Sequence, residues 1–401
     1  MKSSMLFPDP SGDLCDFLDR LPGLLERARP QKSRHRDRLP QGVEELSNLL
    51  TIDRDHLPPD YMARPPLLAA YLHYFLPWNL VRQVRLLGGL AAHLDLKPDA
   101  SIVDVGAGPL TFALAMWLAL PQLRTRRLDI TAEDRTDAPM RVGRDLLRSL
   151  DSAGSWRVAL SRPAGMGGRQ GSSGTPRRKA DLLVAANVMN EIPRGAHRTA
   201  GNPGASLQAL LRSWERRLTP HGRILVIEPG VRDACRMLTD LRGLALERGW
   251  RVVSPCPHQL ECPQPGIGRR PWCHFAFATG KVPHWLEELG LQAGLPKERA
   301  SLGFLLLERA DAVTADQPAG GLLPMRVVSD PFDLPEARRG VYGCTARGMV
   351  LLELGAGSTP PQGDLLEVRE PSGKRKDKKS GALIIGAPEA NSPPSRGPRK
   401  R

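Results

Sequence analysis

"SIVDVGAGPL", residues 101–110, decides how the rest of this chain is read. An apolar, partly β-branched run ends at Asp104, passes through Gly106 and Gly108, and gives way to "TFALAMWLALPQL", which reads as a helix. Glycines at such a junction let the backbone pass close to a ligand, and a helix that starts there offers unsatisfied N–H groups. A glycine loop of this kind marks many nucleotide sites, so its details matter. The nicotinamide fingerprint G-x-G-x-x-G/A fails at its third position, which is Thr111. No G-x-x-x-x-G-K-[ST] segment occurs, which argues against hydrolysis of ATP or GTP.

Outward from the loop, short apolar runs alternate with helical stretches. "RRLDITAED" precedes "APMRVGRDLLRSL"; "RVAL" and "ADLLVAANV" precede "SLQALLRSWERRL"; "GRILVIEPG" precedes "RDACRMLTDLRGLALERG". Strands alternating with helices predict a doubly wound, mostly parallel α/β sheet over residues 96–250. The second strand ends in "AEDRT", where Asp134 (or Glu133) is placed to accept hydrogen bonds from ribose hydroxyls. Strand, DVGAG, helix, strand, acid: together these resemble the S-adenosylmethionine (SAM) site of class I methyltransferases, a Rossmann-like fold. The resemblance implies cofactor contacts at Asp104, Gly106, Gly108, Asp134 and Asn187; the alternative is a retained scaffold with an empty pocket. The fourth strand ends in "NVMNEIP", which puts Asn187, Asn190 and Glu191 at the carboxyl edge of the sheet, where open α/β folds bind ligands. Glu191 reads equally as a general base or as an exposed carboxylate at a helix start. The D/N-P-P-Y sequence of amino-methylating enzymes is absent, and no cysteine stands here as the nucleophile of a pyrimidine carbon methylase. No catalytic residue is therefore assigned.

The flanking regions differ in kind. Residues 1–95 form a helical N-terminal region on the leucine spacing of "LCDFLDRLPGLLERA", "VEELSNLL" and "LVRQVRLLGGLAAHL", joined by the basic connector "ARPQKSRHRDRLPQG". "RPAGMGGRQGSSGTPRRK", through residue 179, is too polar and glycine-rich to pack and is expected to be a mobile loop. Residues 251–300 form a cysteine-rich segment. Residues 301–362 carry "LGFLLLERA", "MRVVSD" and "GCTARGMVLLEL", expected to be antiparallel strands that complete the sheet, and 363–401 are expected to be a disordered basic tail.

Composition narrows the class. With 41% hydrophobic residues the chain builds an ordinary core. No run of 18 apolar residues occurs, and "MKSSMLFPDPSGD" lacks a signal-peptide core, so a cytoplasmic protein with no membrane contact is expected, a monomer by preference. The net charge is +14, half of it carried by residues 371–401, which suggests a polyanionic partner, most simply RNA.

"SPCPHQLECPQPGIGRRPWCHFAFATG", residues 254–280, holds three cysteines and two histidines among prolines and glycines. In a reducing compartment these are metal ligands or buried, unliganded thiols before they are disulfides, and coordination would replace the core that the segment lacks. Cys256, Cys262 and Cys273 with the remote Cys344 suit either an iron–sulfur cluster or a four-thiolate zinc site; His258 and His274 permit three cysteines and one histidine on zinc. The C-x-x-C spacing of zinc ribbons and the zinc deaminase signature are both missing. Arg269, Arg270, Trp272 and His274 suit an RNA-facing surface, cations for phosphates and an aromatic for a base, unless Trp272 is a lid over the metal. Cys15 and Cys235 read as core residues.

"YMARPPLLAAYLHYFLPWNLVRQV", "SIVDVGAGP", "LLVAANVMNEIP", "ILVIEPG", "SPCPHQLECP", "WCHF" and "YGCTARG" occur in the order seen in a family of methyltransferase-like small-ribosomal-subunit proteins, which the chain resembles from about residue 60 to 355. That family has bacterial members and includes the mitochondrial small-subunit assembly factor. The resemblance implies a SAM-type fold that engages small-subunit ribosomal RNA (rRNA) and aids subunit maturation. It also implies a four-iron, four-sulfur (4Fe-4S) cluster on Cys256, Cys262, Cys273 and Cys344. Where the family loop resembles G-x-G-P-G, Leu110 replaces the last glycine and is expected to crowd the methionine end of SAM.

Overall fold

The computed structural model describes residues 5–30, 36–53, 56–58, 60–162, 178–189, 203–280, 282–310, 321–355, 357, 359–370 and 375–386. They fall into two compact units. The larger takes in Leu6–Pro255 and Gln264–Ala312; the smaller takes in Met1–Met5, Cys256–Pro263 and Val313–Arg401.

In the larger unit an eight-stranded sheet runs in the order β3 (Trp156–Ser161), β2 (Leu128–Glu133), β1 (Ala100–Val105), β4 (Ala180–Ala186), β5 (Leu218–Pro229), β8 (Arg299–Arg309), β6 (Trp250–Ser254), with β7 (Phe275–Ala278) also on β8. The first five are parallel. Strand β8 runs antiparallel to β5 and to β6, as expected for this run. From β1 the chain winds outward to β2 and β3, then returns to lay β4 on the other side of β1. Val105 is in register with both Glu133 and Ala185, so the carboxyl ends of three strands meet at this switch point. Five of the six β1 residues are buried, as a strand covered on both faces requires. Helix α5 (Thr111–Ala119) follows the glycine loop and is buried from Thr111 to Leu118, an apolar cylinder with no solvent side.

The three leucine-spaced stretches of the N-terminal region are helices. They are α1 (Gly12–Ala28), α2 (Leu39–Thr51), and α4 (Leu76–Gly89), which continues α3 (Pro65–Ala70) through a π turn, Tyr71–Phe75. Helices α6 (Asp137–Leu150), α7 (Pro203–Glu215), α8 (Arg232–Glu247) and α9 (His284–Gln292) complete the larger unit. Among the described residues, no helix is long and apolar enough to cross a membrane.

Three sequence expectations need correction. Residues 251–300 are more than a cysteine-rich segment: they carry most of β6 together with β7 and α9, because "WRVVS" and "FAFA" place apolar side chains at strand spacing. Residues 301–362 do not all complete the main sheet. Only β8 does; β9 (Leu322–Val327), β10 (Phe332–Leu334), β11 (Arg338–Thr345) and β12 (Gly348–Leu354) build a second sheet in the smaller unit. The supposed disordered tail supplies two further strands to it, β13 (Leu365–Arg369) and β14 (Leu383–Ile385), in the order β13-β9-β11-β12-β14 with β10 on β11. Leu366 and Val368 pair with Met325 and Leu323, and with Ile385 they join the core around Val327, Val341, Val350 and Leu352. The alternation of "LLEVR" gave a strand signal that the tail's average charge obscured. Residues 387–401 and most of the expected mobile loop, 163–177, lie outside the described residues.

Candidate functional site: a glycine-loop cleft

A cleft of about 700 Å³, its open mouth included, lies at the switch point. Its floor is Val105, Gly106 and Gly108 after β1; one wall is Glu133 to Thr136 after β2, the other Ala186, Asn187 and Val188 after β4. Tyr61, Met62 and Tyr71 from the N-terminal region line the rest.

Glycine is required in the floor. Gly106 has φ +68°, and a Cβ there would stand 2.5 Å from Val188 Cγ2; Gly108 has φ +50°. The N–H groups of Gly106 and Ala107 donate to the Glu133 carbonyl at 2.7 and 3.0 Å, which pins the loop to β2. Gly108 N–H donates to Asp134 Oδ2 at 2.9 Å, while Asp134 Oδ1 accepts from Thr136 N–H at 3.1 Å and Thr136 Oγ1 at 3.3 Å. Asp134 thus holds the loop shut from below; Oδ1 is filled by its two donors, while Oδ2 keeps a second lone pair for a ligand hydroxyl. The neighbouring Glu133 carboxylate pairs with Arg217 at 2.8 Å.

Asp104 does not line the cleft. It sits in the wall just before it, 1% exposed, and its Oδ2 has no hydrogen-bond partner among the described residues. Burial, reinforced by the charges of Asp134 and Glu133, pushes its carboxyl up to about 8, so it holds its proton at neutral pH. Asn187 adopts the left-handed conformation at φ +60°, which asparagine tolerates, and its N–H donates to the Ile227 carbonyl at 2.7 Å. The structure therefore gathers Gly106, Gly108, Asp134 and Asn187 around one cavity and leaves Asp104 behind it. Asn190 and Glu191 lie outside the described residues.

Leu110 does not crowd the cleft. It is wholly buried in the left-handed N-cap of α5 and is not among the lining residues. Space for the loop is set from the other side, where a Cβ on Gly143 of α6 would stand 2.2 Å from the Pro109 carbonyl oxygen. The residues that sequence reasoning missed are Tyr61, Met62 and Tyr71. Tyr71 opens the π turn, and its hydroxyl accepts from Asn79 Nδ2 at 3.3 Å, while Arg82 in turn donates to Asn79 Oδ1. The one available signal was "YMARPP" and the aromatic run after it, more than 30 residues upstream of the loop and readable only as helix.

The cysteines divide. Cys235 is a core residue: it is buried in α8 and its thiol is pushed up to about 12, chiefly by burial. Cys15 is only half-buried, short of the core position expected. Cys256, Cys262 and Cys344 belong to the smaller unit, Cys273 to the larger. On β11, Cys344 is buried, and the ring Nε2 of buried His258 lies 3.3 Å from its sulfur across 86 residues of sequence. No cysteine is in a disulfide. Among the described residues, no group of three or more His, Cys, Asp or Glu side chains is arranged to hold a metal ion, so the described side chains do not by themselves assemble the expected cluster.

Trp272 is not open for stacking on a base. Its ring stacks on His274 at 5.1 Å, Arg232 lies over it at 4.4 Å, and its indole N–H donates to the Gly230 carbonyl at 2.9 Å.

The strand order, the reversed β8 and the cleft at the switch point define a class I SAM-methyltransferase-like α/β fold. Residues 68–316 match the family model described as mitochondrial small ribosomal subunit Rsm22, and the chain belongs to that family. Solved structures similar to it include magnesium protoporphyrin IX methyltransferase from Synechocystis PCC 6803 with bound SAM, at 10% identity over 63% of this chain and 94% of that one, TM-score 0.37. Another is a putative class I SAM-dependent methyltransferase from Listeria monocytogenes, at 14% identity over 76% and 90%, TM-score 0.35. A third is precorrin-6y C5,15-methyltransferase from Geobacter metallireducens GS-15, at 16% over 56% and 88%, TM-score 0.34. At these scores nothing about their chemistry transfers. No curated protein matches the sequence.

Proposed function

We propose that this chain is a small-ribosomal-subunit factor that holds SAM in the glycine-loop cleft and contacts subunit rRNA. The observation that carries the reading is the cleft itself: Gly106 and Gly108, tied to Glu133 and Asp134, leave open at the switch point a space into which a Cβ at 106 would bring a 2.5 Å contact with Val188. In this reading Gly106 and Gly108 let the cofactor lie against the backbone, Asp134 and Asn187 accept from or donate to its polar groups, and protonated Asp104 stiffens the wall. The acids at this edge suit a cationic ligand, and SAM carries both a sulfonium and an ammonium group. When bound, it supplies a methyl group activated by the sulfonium. The test is affinity capture of the tagged full-length protein followed by RNA analysis. Small-subunit rRNA enriched over large-subunit rRNA supports the reading; equal recovery of both rejects it.

An active RNA methyltransferase is the second reading, favoured by the two tyrosines in the cleft, which suit a planar base. Mass spectrometry of rRNA from cells lacking the protein tests it, and an unchanged modification profile rejects it.

The 4Fe-4S cluster, with zinc as the alternative, is retained as a proposal on the cysteine pattern. Its support is that Cys344 meets His258 within the Cys256–Pro263 segment, which links the remote strand to the cysteine arm. Anaerobic purification with iron, sulfide and zinc analysis decides between the metals, and absence of all three rejects both. We further propose that the chain works in the compartment where its small subunit is assembled. The family description points to mitochondria and the sequence expectation to the cytoplasm; cell fractionation separates them.

A further inference from the structure

The cleft leaves a second feature of the larger unit unexplained. Between Pro265 and Trp272, which form an isolated antiparallel bridge, the chain makes a compact turn, "GIGRRP". Gly266 N–H donates to the Pro271 carbonyl at 2.9 Å and Arg270 N–H to the Ile267 carbonyl at 3.0 Å. Gly266 and Gly268 both take positive φ, at +70° and +60°. From α8, Arg232 Nη1 donates to the carbonyls of Gly266 at 3.3 Å, Gly268 at 3.2 Å and Arg270 at 2.9 Å, while its guanidinium lies over Trp272. One arginine thus collects three backbone acceptors of the turn, and Trp272, bonded to Gly230, anchors its base.

What remains outward is of one chemical kind. Arg269 and Arg270 are exposed, as is Ile267 at 51%, and neither arginine is in an ion pair among the described residues. Exposed arginines on this chain commonly bridge to a carboxylate: Arg162 to Asp137, Arg347 to Glu370, Arg375 to Glu353. Two adjacent guanidinium groups on an ordered turn, with its carbonyls engaged by Arg232, make an anion contact whose backbone is already ordered, so that only the two side chains are left to order on binding. A net charge of +14 favours a polyanion over an isolated phosphate.

We propose that the turn 266–271 docks on the sugar-phosphate backbone of small-subunit rRNA, with Arg269 and Arg270 pairing with phosphates and Arg232 as the positioning residue that holds the turn in shape. This rests on the small-subunit reading above and adds the surface that makes the contact. The Trp272 ring, stacked on His274 and covered by Arg232, takes no part in stacking on a base; it is structural.

The experiment measures binding of the full-length protein to refolded, full-length small-subunit rRNA between 50 and 200 mM salt. Each phosphate contact contributes about 0.7 to 0.9 to the slope of log affinity against log salt. Replacing both cations, Arg269→Gln with Arg270→Gln, is expected to weaken binding and flatten the slope by about 1.4 to 1.8. The positions are exposed, so the melting temperature stays at the wild-type value. Arg232→Gln keeps both outward cations and is expected to lower affinity while leaving the slope in place. A Lys378→Gln, Lys379→Gln variant, at exposed positions of the smaller unit, is the charge-matched control. If the arginine variant keeps the wild-type slope, or if the lysine control flattens it equally, the turn is not the docking element, although the small-subunit reading stands. If the wild-type protein shows no salt-dependent binding, the rRNA reading itself falls and takes this inference with it.

Discussion

At the residue scale, Asp104 makes the most specific demand. Its carboxyl is pushed from 3.8 to about 8, first by burial and then by its acidic neighbours. The raised value means that the folded protein keeps the proton while the unfolded chain loses it, so stability is fully present below about pH 4 and is lost as pH rises toward 8. The slope approaches about 1.4 kcal/mol per pH unit within that window. Asp104→Asn resembles the protonated acid and removes the titration. Urea melts from pH 5 to 8 are expected to show the variant gaining on the wild type at each step; a constant difference would mean that Asp104 ionises normally. Residue identities in the cleft were legible where backbone geometry dictates them: Gly106, Gly108 and Asn187 all adopt positive φ. Asp134 was found on its position at the end of β2, but its bond to Gly108 N–H depends on the three-dimensional closure of the loop and has no sequence signature.

At the scale of elements, the contact between α8 and β8 shows how closely the sheet is covered. A Cβ on Gly303 would stand 2.7 Å from Cys235 Sγ and 3.0 Å from Leu238 Cδ1. Gly303→Ala is therefore expected to destabilise the protein by roughly 1–3 kcal/mol, the usual range for overpacking a core. Cys235→Ala alone leaves a small void; combined with Gly303→Ala it makes room for the new methyl. The double variant should accordingly lose less stability than the two single losses together, and strictly additive losses in denaturant melts would show that the two positions do not share that space. The apolar runs of β1, β4, β5 and β8 were readable because parallel or central strands buried on both faces need them. Strands β6, β13 and β14 were not, because short alternating runs sat inside segments judged by their cysteine or lysine content. The π turn that opens with Tyr71 depends on packing, not on any local residue preference, and so brought an unpredicted side chain to the cleft.

At the scale of the whole molecule, a class I methyltransferase-like unit and a small β unit share one chain. The sequence expectation drew helical, α/β and cysteine-bearing parts, whereas the helices and the α/β sheet share one unit and the cysteine segment is divided between the two; it also assigned the last strands to the wrong sheet, since strand partners are set by long-range packing. The family membership rests on residues 68–316, which include the cleft's glycine loop and Tyr71. The claim on which the functional account turns is that this cleft takes SAM, and titration calorimetry of SAM into the full-length protein tests it directly. We expect saturable one-to-one binding that Gly106→Ala weakens about tenfold or more, a loss of about 1.4 kcal/mol, because the new methyl meets Val188. Absence of binding to the wild type, or equal affinity in a folded Gly106→Ala variant, would contradict the account.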